Sequence, residues 1–446
     1  MILLENVTIV TSEREETGSI AIESGKIAAV LYSSDENYHH DVWNYRKQSE
    51  ETVNLEGKHV IAGGIDAHVH FREPGLTHKA DMATESLAAV AGGVTSVMDM
   101  PNTSPATTSA ETIQQKIALA KEKSVAKVSF HIGATNDNVE DICRLITEGD
   151  KETGITPDEI AGVKVFMGSS TGNMLVDESK TLEKLFSIKE KPVLVHCEDE
   201  STIKENLAKA IETYGEDIPF REHENIRSRK ACIKSSIKAL EMAMKHETRL
   251  VLCHISTKEE IQMVRAAKAT NPNIVAETSC NYLWFCNEDY DRLGSKAKCN
   301  PSVKGADDRK ALREALASGA IDTIGSDHAP HLPQEKASPY CKAPSGLPSI
   351  QQSLPVLLTI AHEEGIPLTR IAAVFSENAS NIYSINRGKI AKGYDADLVV
   401  FDYNQTFEVK VEDQFSKCGW TPYEGTTLRG VIEKIYIDGK ELKLTR

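Results

Sequence analysis

The chain has 446 residues, enough for one large barrel-type domain with a smaller companion, or for two or three ordinary domains. Its 51 Lys and Arg residues and 66 Asp and Glu residues leave a net charge of −15, which argues against nucleic acid as a partner. The nine cysteines lack the spacing of a disulfide framework, which favours reduced thiols in the cytoplasm. The sequence shows no signal peptide and no run of roughly 18 apolar residues, so we predict a soluble cytoplasmic protein without a membrane segment.

Both ends of the chain are rich in short β-type segments. Residues 1–57 contain ILLENVTIV and SIAIESGKIAAVLY, and residues 388–446 contain GKIAKGYDADLVVFD and GVIEKIYIDGKEL. Apolar runs of this length, bounded by turn residues, are typical of strands. We therefore expect the two ends to pair as one composite small β domain.

Between these ends, residues 60–385 alternate short apolar runs with stretches of helical periodicity such as ADMATESLAAVAGG and RKALREALASG. The apolar runs are VIAGGIDAHVHF, GVTSVMDMPN, KVSFHIGAT, GVKVFMGSS, PVLVHCED, RLVLCHIS, NIVAETSCN and AIDTIGSDHAPH. Eight strand–helix repeats predict a parallel sheet, and eight strands can close into a barrel. The predicted fold is α/β: a (β/α)8 TIM barrel with a small β-rich domain formed from the N- and C-terminal segments.

The first apolar run ends in His68 and His70. Alternate residues of a strand share a face, so the two imidazoles can hold one divalent metal ion. Zinc is the usual choice for nitrogen ligands. Alone, a His-x-His motif is more often a polar stripe, and the later runs are needed to decide between the two interpretations.

Polar residues in the later runs favour the metal site. Lys164 lies in the fourth run, and His196, His254 and Asp327 end the fifth, sixth and eighth. Each alone has a structural explanation, as a core histidine, a lysine tip in solvent or a helix cap. Functional groups gather at the C-terminal ends of barrel strands, so their coincidence predicts one metal site there. We interpret His131, near the end of the third run, as structural support.

Four histidines and one aspartate are too many ligands for a single tetrahedral zinc that keeps an open position. They suit two divalent ions roughly 3.5–4 Å apart that activate a bridging water. Two cations this close need an anionic bridge from the protein. We hypothesise that CO2 converts Lys164 to a carbamate, whose two oxygens can reach both ions. Zinc is preferred, although cobalt or manganese suits the same ligands.

The motifs HVHFREPG, MPNT, GVKVFM, SDHAPH and WTPYEG resemble those of the dihydroorotases of the amidohydrolase superfamily, over nearly the whole chain. The resemblance implies a two-zinc barrel that interconverts L-dihydroorotate and N-carbamoyl-L-aspartate in pyrimidine (UMP) biosynthesis. It implies one metal on His68, His70 and Asp327, a second on His196 and His254, and a bridge from Lys164. Bacterial relatives with FREPG often use aspartate near the bridging position, whereas GVKVFMGSS resembles the lysine-bearing branch of hydantoinases and allantoinases.

The resemblance also implies a mechanism. A hydroxide that bridges the two zinc ions attacks the ring carbonyl carbon of dihydroorotate. Asp327, as the catalytic general acid/base, takes the proton and passes it to the departing ring nitrogen. In the biosynthetic direction the steps reverse.

Substrate recognition centres on Arg72, which follows His70 by two residues and offers a guanidinium fork for the substrate carboxylate. An ion pair between Arg72 and Glu73 is the alternative. In MPNT, Asn102 can bond the ring amide or can simply be a turn residue. The resemblance implies substrate contacts by His70, Arg72, Asn102, Asn300 and His331, and by backbone atoms near Ser345 and Gly346.

Two other functions stay open. A hydantoinase, dihydropyrimidinase or allantoinase would share the metals but act on uncharged cyclic amides, for which a buried Arg72 would lack a partner. A non-catalytic dihydroorotase-like assembly subunit is disfavoured, because all six ligand positions hold competent residues. The expected partner is a small-molecule substrate, and a homodimer is the commonest oligomer. Association with aspartate carbamoyltransferase, and whether residues 331–346 form a lid or a fixed loop, are left open.

Overall fold

The computed structural model describes residues 1–168 and 174–444, which contain two eight-stranded sheets. The N-terminal segment supplies five strands: β1 (Ile2–Val10), β2 (Glu15–Glu23), β3 (Lys26–Tyr32), β4 (Glu51–Asn54) and β5 (His59–Ala62). β2 pairs antiparallel with both β1 and β3, whereas β4 and β5 run parallel to β1.

The second sheet is all parallel and is made from the eight apolar runs. Its strands are β6 (Gly64–Val69), β7 (Val94–Asp99), β8 (Lys127–Gly133), β9 (Ile160–Phe166), β10 (Val193–His196), β11 (Leu250–Leu252), β12 (Val275–Thr278) and β13 (Thr323–Ile324). Each strand pairs with the next in chain order. A parallel bridge from Val69 to His328 joins the first strand to the segment after the last, which closes the sheet. The predicted barrel is confirmed.

The C-terminal segment completes the first sheet with β14 (Leu398–Glu408), β15 (Thr427–Ile437) and β16 (Lys440–Glu441). β14 pairs antiparallel with β5 and with β15, so strands from the two ends of the chain form one sheet, as predicted. Ser169 and Ser170, which end the fourth predicted run, lie outside the described residues.

One predicted run is divided between the two sheets. Val60 and Ile61 lie in β5 of the first sheet, and the barrel begins only at β6. A Cβ atom at Gly63, between the two strands, would lie 2.1 Å from Oγ1 of Thr95, so only glycine allows this close approach. Apolar residues look alike in either sheet, which is why the sequence pattern does not show the division.

Helices connect and cover the strands. They are α1 (Tyr38–Gln48), α2 (Met82–Ala91), α3 (Ala110–Lys123), α4 (Val139–Glu148), α5 (Ser179–Phe186), α6 (Glu200–Tyr214), α7 (His223–Ile226), α8 (Arg229–His246), α9 (Lys258–Lys268), α10 (Cys280–Trp284), α11 (Asp289–Leu293), α12 (Ala306–Ser318), α13 (Pro333–Lys336), α14 (Ser353–Glu364), α15 (Leu368–Ala372) and α16 (Asn378–Tyr383). Among the described residues, no helix is long and apolar enough to cross a membrane.

Local sequence explains how one helix fixes a strand end of the barrel. Thr257 caps α9 by accepting the backbone N–H of Glu260, and the Glu260 carboxylate accepts the backbone N–H of Thr257 in return. This reciprocal cap satisfies two amides at the helix start. The cap fixes the backbone at Thr257, three residues after His254. It thereby helps to position His254, which follows β11 at the barrel mouth.

Candidate metal centre

The predicted site residues converge at the C-terminal ends of the barrel strands. His68 lies in β6, Lys164 in β9 and His196 at the end of β10. His254 follows β11 and Asp327 follows β13, in positions that parallel strands bring to one barrel mouth. The structure therefore places these five side chains at the end of the barrel where catalytic groups normally lie.

Three residues at this end of the barrel have left-handed backbone conformations. The φ angles are 65° at Arg72, 39° at His254 and 49° at Asp327. Residues other than glycine rarely adopt positive φ, and such strain of about 1–3 kcal/mol concentrates at functional sites. The surrounding structure thus holds these three side chains in directions that an unstrained backbone would not give them.

His68 and His70 present their Nε2 atoms to the carboxylate of Asp327. Nδ1 of His68 donates to Oε1 of Glu277 at 2.7 Å, and Nδ1 of His70 donates to Oδ1 of Asn102 at 2.7 Å. The Nε2 atoms therefore carry lone pairs in the neutral rings, and they lie 3.5 Å and 3.0 Å from Oδ1 of Asp327. The two Nε2 atoms and the Asp327 oxygen are all acceptors, and no hydrogen lies between them. A cation would bind all three, so this set of atoms suits a metal ion.

The second pair of histidines faces the first. Nδ1 of His196 lies 2.9 Å from Nε2 of His254, and the rings of His254 and His68 are centred 5.2 Å apart. Nε2 of His196 lies 3.1 Å from Oε2 of Glu198, and this carboxylate favours a hydrogen on Nε2. Nδ1 of His196 then carries a lone pair that faces His254, and a second cation can bind between the two rings.

Burial keeps these imidazoles neutral. It lowers the pKa of His68 and of His254 well below the usual value, and it lowers the pKa of His196 as well. The charge of Lys164 adds to the effect at His68. Neutral imidazole is the form that binds metal, so the site holds its ligands ready across the physiological pH range.

Lys164 is fully buried, and among the described residues no carboxylate lies within ion-pair distance of its Nζ atom. Its Nζ atom lies 3.2 Å from Sγ of Cys253. Nζ also lies 5.3 Å from the centre of the Phe166 ring. Lys164 is therefore buried between a thiol and an aromatic ring, close enough to His68 to act on it electrostatically.

Arg72 is also buried, with 3% of its surface exposed. Nε donates to the carbonyl of Pro330 at 3.3 Å, and Nη2 lies 3.0 Å from Nε2 of His331. The alternative ion pair with Glu73 is not formed, because Glu73 pairs with Lys123 instead. Burial lowers the pKa of Arg72 to about 10, which leaves the guanidinium charged at neutral pH.

The two predicted asparagines differ in their surroundings. Oδ1 of Asn102 accepts the Nδ1 hydrogen of His70, so Asn102 orients a candidate metal ligand as well as bordering the mouth. Oδ1 of Asn300 is enclosed and accepts no hydrogen bond within residues 1–168 and 174–444. Asn300 therefore has an acceptor available for a bound molecule.

Ser345 and Gly346 lie against the segment after Asp327. The carbonyl of Ser345 accepts from Nε2 of His331 at 3.0 Å. The Gly346 N–H donates to the carbonyl of Lys298, and its own carbonyl accepts from Nζ of Lys336. The backbone groups of Gly346 and the carbonyl of Ser345 thus all have internal partners.

The loop over residues 331–346 is tied to the barrel by a buried lysine. Nζ of Lys336 donates to three carbonyls, those of Lys298, Pro344 and Gly346, at 2.9–3.1 Å. Nε1 of Trp420, in the C-terminal segment, donates to the carbonyl of His331 at 2.8 Å. These bonds support a fixed wall rather than a free lid.

Sequence reasoning missed Glu277, Glu198 and Cys253. Glu277 is buried in β12, inside the run NIVAETSCN, and it holds His68. The sequence did contain a signal for Glu277: it is the single acidic residue of its predicted strand. A buried carboxylate needs a partner, so its position indicates a role at the site. His131, in contrast, donates from Nε2 to the carbonyl of Ala67 inside the barrel, in keeping with the structural role we expected.

Fold and site together define the class: a barrel enzyme with a His/Asp metal-binding cluster at the C-terminal ends of its strands. More specifically, the chain belongs to the amidohydrolase family, whose family model matches residues 59–442.

Comparisons with individual proteins narrow the branch. The chain is 33% identical over 435 residues to a dihydroorotase of Methanosarcina acetivorans, covering 95% of this chain and 88% of that protein. It is 29% identical over 465 aligned positions to an allantoinase of Desulfitobacterium hafniense, covering 98% and 96%. Its fold matches the L-hydantoinase (dihydropyrimidinase) from Arthrobacter aurescens with a TM-score of 0.87 at 24% identity, over 99% of this chain and 95% of that one. The chain is a cyclic amidohydrolase of the dihydroorotase, hydantoinase and allantoinase branch.

Proposed function

We propose that this chain is a dihydroorotase, which interconverts L-dihydroorotate and N-carbamoyl-L-aspartate in pyrimidine biosynthesis. The observation that carries the proposal is the buried guanidinium of Arg72, which has no carboxylate partner in the described part of the chain. Dihydroorotate has a free carboxylate, whereas hydantoin and allantoin have none. A buried cation without an anion is costly, so a substrate carboxylate completes this site. The likeness to the dihydroorotase of Methanosarcina acetivorans supports the same substrate.

The surrounding groups fit the rest of dihydroorotate. His331 lies beside Arg72 and adds a second nitrogen within 3.0 Å of the guanidinium, where a carboxylate oxygen can touch both. The free acceptor of Asn300 suits an N–H of the ring amide. We propose that Asn102 and His70 line the opposite side of the ring, and that the Ser345 backbone closes the mouth.

We propose two divalent metal ions, with zinc favoured by the imidazole ligands. His68, His70 and Asp327 would hold one ion, and His196 with His254 would hold the other. The lone pairs that face one another in each set fit this assignment. When bound, such ions polarise a carbonyl group and lower the pKa of water.

We propose that Lys164 carries a carbamate. The neutral amine nitrogen would bond to the carbon of CO2, one C=O bond would give its π electrons to oxygen, and the released proton would pass to water, which leaves a carbamate anion with two oxygens. The burial of Lys164 beside the candidate metal ligands, with no carboxylate within ion-pair distance among the described residues, supports this proposal, because a carbamate would supply an anionic ligand for the two ions.

The proton transfers belong to Asp327. In hydrolysis its carboxylate takes a proton from the attacking water and delivers it to the departing ring nitrogen. Nε2 of His70 lies 3.0 Å from this carboxylate, so the two groups share the candidate metal position. In ring closure Asp327 acts in reverse: it takes the proton from the carbamoyl nitrogen and passes it to the departing hydroxide, which leaves as water.

Turnover with a substrate panel tests the proposal. The metal-loaded protein is assayed with dihydroorotate, N-carbamoyl-L-aspartate, dihydrouracil, hydantoin and allantoin. We expect the specificity constant for dihydroorotate to exceed those of the uncharged rings. Preference for allantoin would favour the second candidate, which the 29% identity to an allantoinase supports. No turnover of any ring, with less than two metal ions per chain, would favour a non-catalytic assembly subunit.

The remaining assignments concern assembly and location. We propose that the protein acts as a homodimer in the cytoplasm, with a small-molecule substrate as its main partner. Light scattering after size-exclusion chromatography gives the mass in solution. Adding aspartate carbamoyltransferase to the same column tests for an association between the two enzymes.

A further inference from the structure

Each ring nitrogen of His331 faces a cationic donor. Nζ of Lys79 lies 3.0 Å from Nδ1, and Nη2 of Arg72 lies 3.0 Å from Nε2. The carbonyl of Ser345 lies 3.0 Å from the same Nε2. Within hydrogen-bond distance, His331 therefore has two donors and one acceptor around a neutral ring that carries only one hydrogen; Oε2 of Glu335 is farther away, at 3.8 Å from Nδ1.

The two neutral tautomers do not satisfy these contacts equally. With the hydrogen on Nε2, His331 donates to Ser345 and accepts from Lys79, and only the contact with Arg72 is unsatisfied. With the hydrogen on Nδ1, it accepts from Arg72, but the contacts with Lys79 and Ser345 both fail. The Nε2–H tautomer makes two of the three hydrogen bonds, whereas the Nδ1–H tautomer makes one. The hydrogen bond from Lys79 accounts for this difference.

Lys79 is held in place to do this. Its Nζ atom pairs with Oε1 of Glu335 at 2.8 Å, and the lysine side chain is only 14% exposed. Glu335 is itself oriented, because its Oε2 atom accepts the backbone N–H of Leu332 at 2.8 Å. His78 also lies near Glu335, at 3.9 Å, but it is more than half exposed and does not contact His331.

We propose that Lys79 is a positioning residue that fixes His331 as an Nε2–H donor, beside Arg72, for the carboxylate of an anionic cyclic amide. The inference rests on the proposed function, since dihydroorotate supplies that carboxylate. Without substrate, Nε2–H of His331 donates to the carbonyl of Ser345, and Nη2 of Arg72, 3.0 Å from the same Nε2, finds no acceptor there. A carboxylate oxygen placed beside both nitrogens would accept from Nη2 of Arg72 and share the Nε2 hydrogen of His331 with Ser345, which satisfies the guanidinium.

Steady-state kinetics give the first test. Lys79→Met removes the donor at nearly constant side-chain length, and we expect KM for dihydroorotate to rise about tenfold with kcat changed less than about twofold. Lys79→Gln keeps a donor without the charge and should recover most of the loss. Lys417→Met is the matched control, because Lys417 binds the same loop through Asp81 and the Thr77 carbonyl but does not contact His331.

Nitrogen-15 NMR of the histidine rings gives a test that needs no substrate. His331→Asn identifies the His331 signals by their loss. We expect an Nε2–H tautomer in the parent protein and in Lys79→Gln, and a shift toward Nδ1–H in Lys79→Met, where the Ser345 carbonyl and Arg72 favour opposite tautomers by one hydrogen bond each. An unchanged Nε2–H tautomer in Lys79→Met, or an unchanged KM, would overturn the role of Lys79.

The two proposals fail separately. If the parent protein turns over allantoin but not dihydroorotate, the proposed substrate is wrong whatever the NMR spectra show. If the parent turns over dihydroorotate and Lys79→Met does so with the same KM, the substrate assignment holds and the positioning role of Lys79 is wrong.

Discussion

Nδ1 of His68 donates a hydrogen bond to Oε1 of Glu277 at 2.7 Å, across the barrel interior from β6 to β12. Both side chains are at most 2% exposed, so the bond is made in a medium where it is strong. With Glu277 as a carboxylate, whose pKa burial raises to about 7, the bond places the hydrogen of His68 on Nδ1 and turns Nε2 toward Asp327. A carboxylate behind a metal-binding histidine fixes its orientation and raises its basicity.

Removal of that carboxylate is expected to weaken metal binding. In Glu277→Ala, His68 loses the group that orients its ring, and the affinity for the more weakly bound metal ion should fall about 10- to 100-fold. Metal content after dialysis against a graded chelator measures the change. Asp397→Ala is the control, because Asp397 is similarly buried but bonds to Lys127 and to the backbone N–H of Asp438, and it contacts no candidate metal ligand. An equal loss of metal in both variants would contradict a specific role for Glu277.

The sequence was sufficient for the barrel because apolar runs and helical stretches alternate eight times, and a parallel sheet buries both faces of its strands. It was also sufficient to bring His68, His196, His254 and Asp327 to one mouth, since each stands at the C-terminal end of its run. Each barrel strand pairs with the next strand in the chain, so the strand order follows directly from the order of the apolar runs.

The parts that could not be predicted depend on contacts between distant segments. Nothing local in WTPYEG shows that Trp420 bonds to the backbone of His331, 89 residues earlier. The contact of Lys79 with His331 likewise spans 252 residues. Side-chain partners of this kind are set by the packing of loops over the barrel mouth, for which periodicity carries no signal.

A buried ion pair supports the strand end that carries Arg72. Nζ of Lys116 lies 2.5 Å from Oδ2 of Asp99, and Oδ1 of Asp99 accepts the backbone N–H of Phe71 at 2.8 Å. Lys116→Met leaves the Asp99 charge unpaired and should lower the free energy of unfolding by about 3–5 kcal/mol. The double variant Lys116→Met/Asp99→Asn should recover most of this loss. Chemical denaturation measures both, and equal stability of the single variant and the parent would show that the pair contributes little.

The carbamate on Lys164 predicts a specific signal. Protein prepared with 13C-labelled CO2 should show one carbamate carbon resonance, and native mass spectrometry should show the added mass of one CO2. Lys164→Arg should lose both, together with most of the activity. Lys58→Met should keep them, because Lys58 pairs with Asp402 and Glu433 in the sheet formed by the two ends of the chain and lies outside the barrel mouth. Fully metal-loaded, active protein without the added mass would remove the carbamate from the site.

Asp327 is expected to affect turnover more than binding. Asp327→Asn keeps an oxygen near His68 and His70 but cannot carry the proton, so kcat should fall on the order of 10²- to 10⁴-fold. Binding of dihydroorotate, measured by calorimetry, should change much less, because Arg72 is untouched. Metal analysis is needed alongside, since a loss of metal would account for low activity by another route. Parent-like kcat with full metal content would exclude Asp327 as the proton carrier.

Arg72 provides the most direct test of substrate identity. Arg72→Ala or Arg72→Gln should leave the metal content unchanged, because no candidate ligand is removed. The specificity constant for dihydroorotate should fall by roughly 2–4 kcal/mol, or on the order of 30- to 1,000-fold, the value of a charge-assisted pair in a buried site. Arg72→Lys should recover only part, since an ammonium keeps the charge but loses the two-pronged geometry. Turnover of dihydrouracil, which has no carboxylate, should be unaffected or should improve. If Arg72→Ala used dihydroorotate as efficiently as the parent, the carboxylate would be bound elsewhere, and the buried guanidinium would need a different anion.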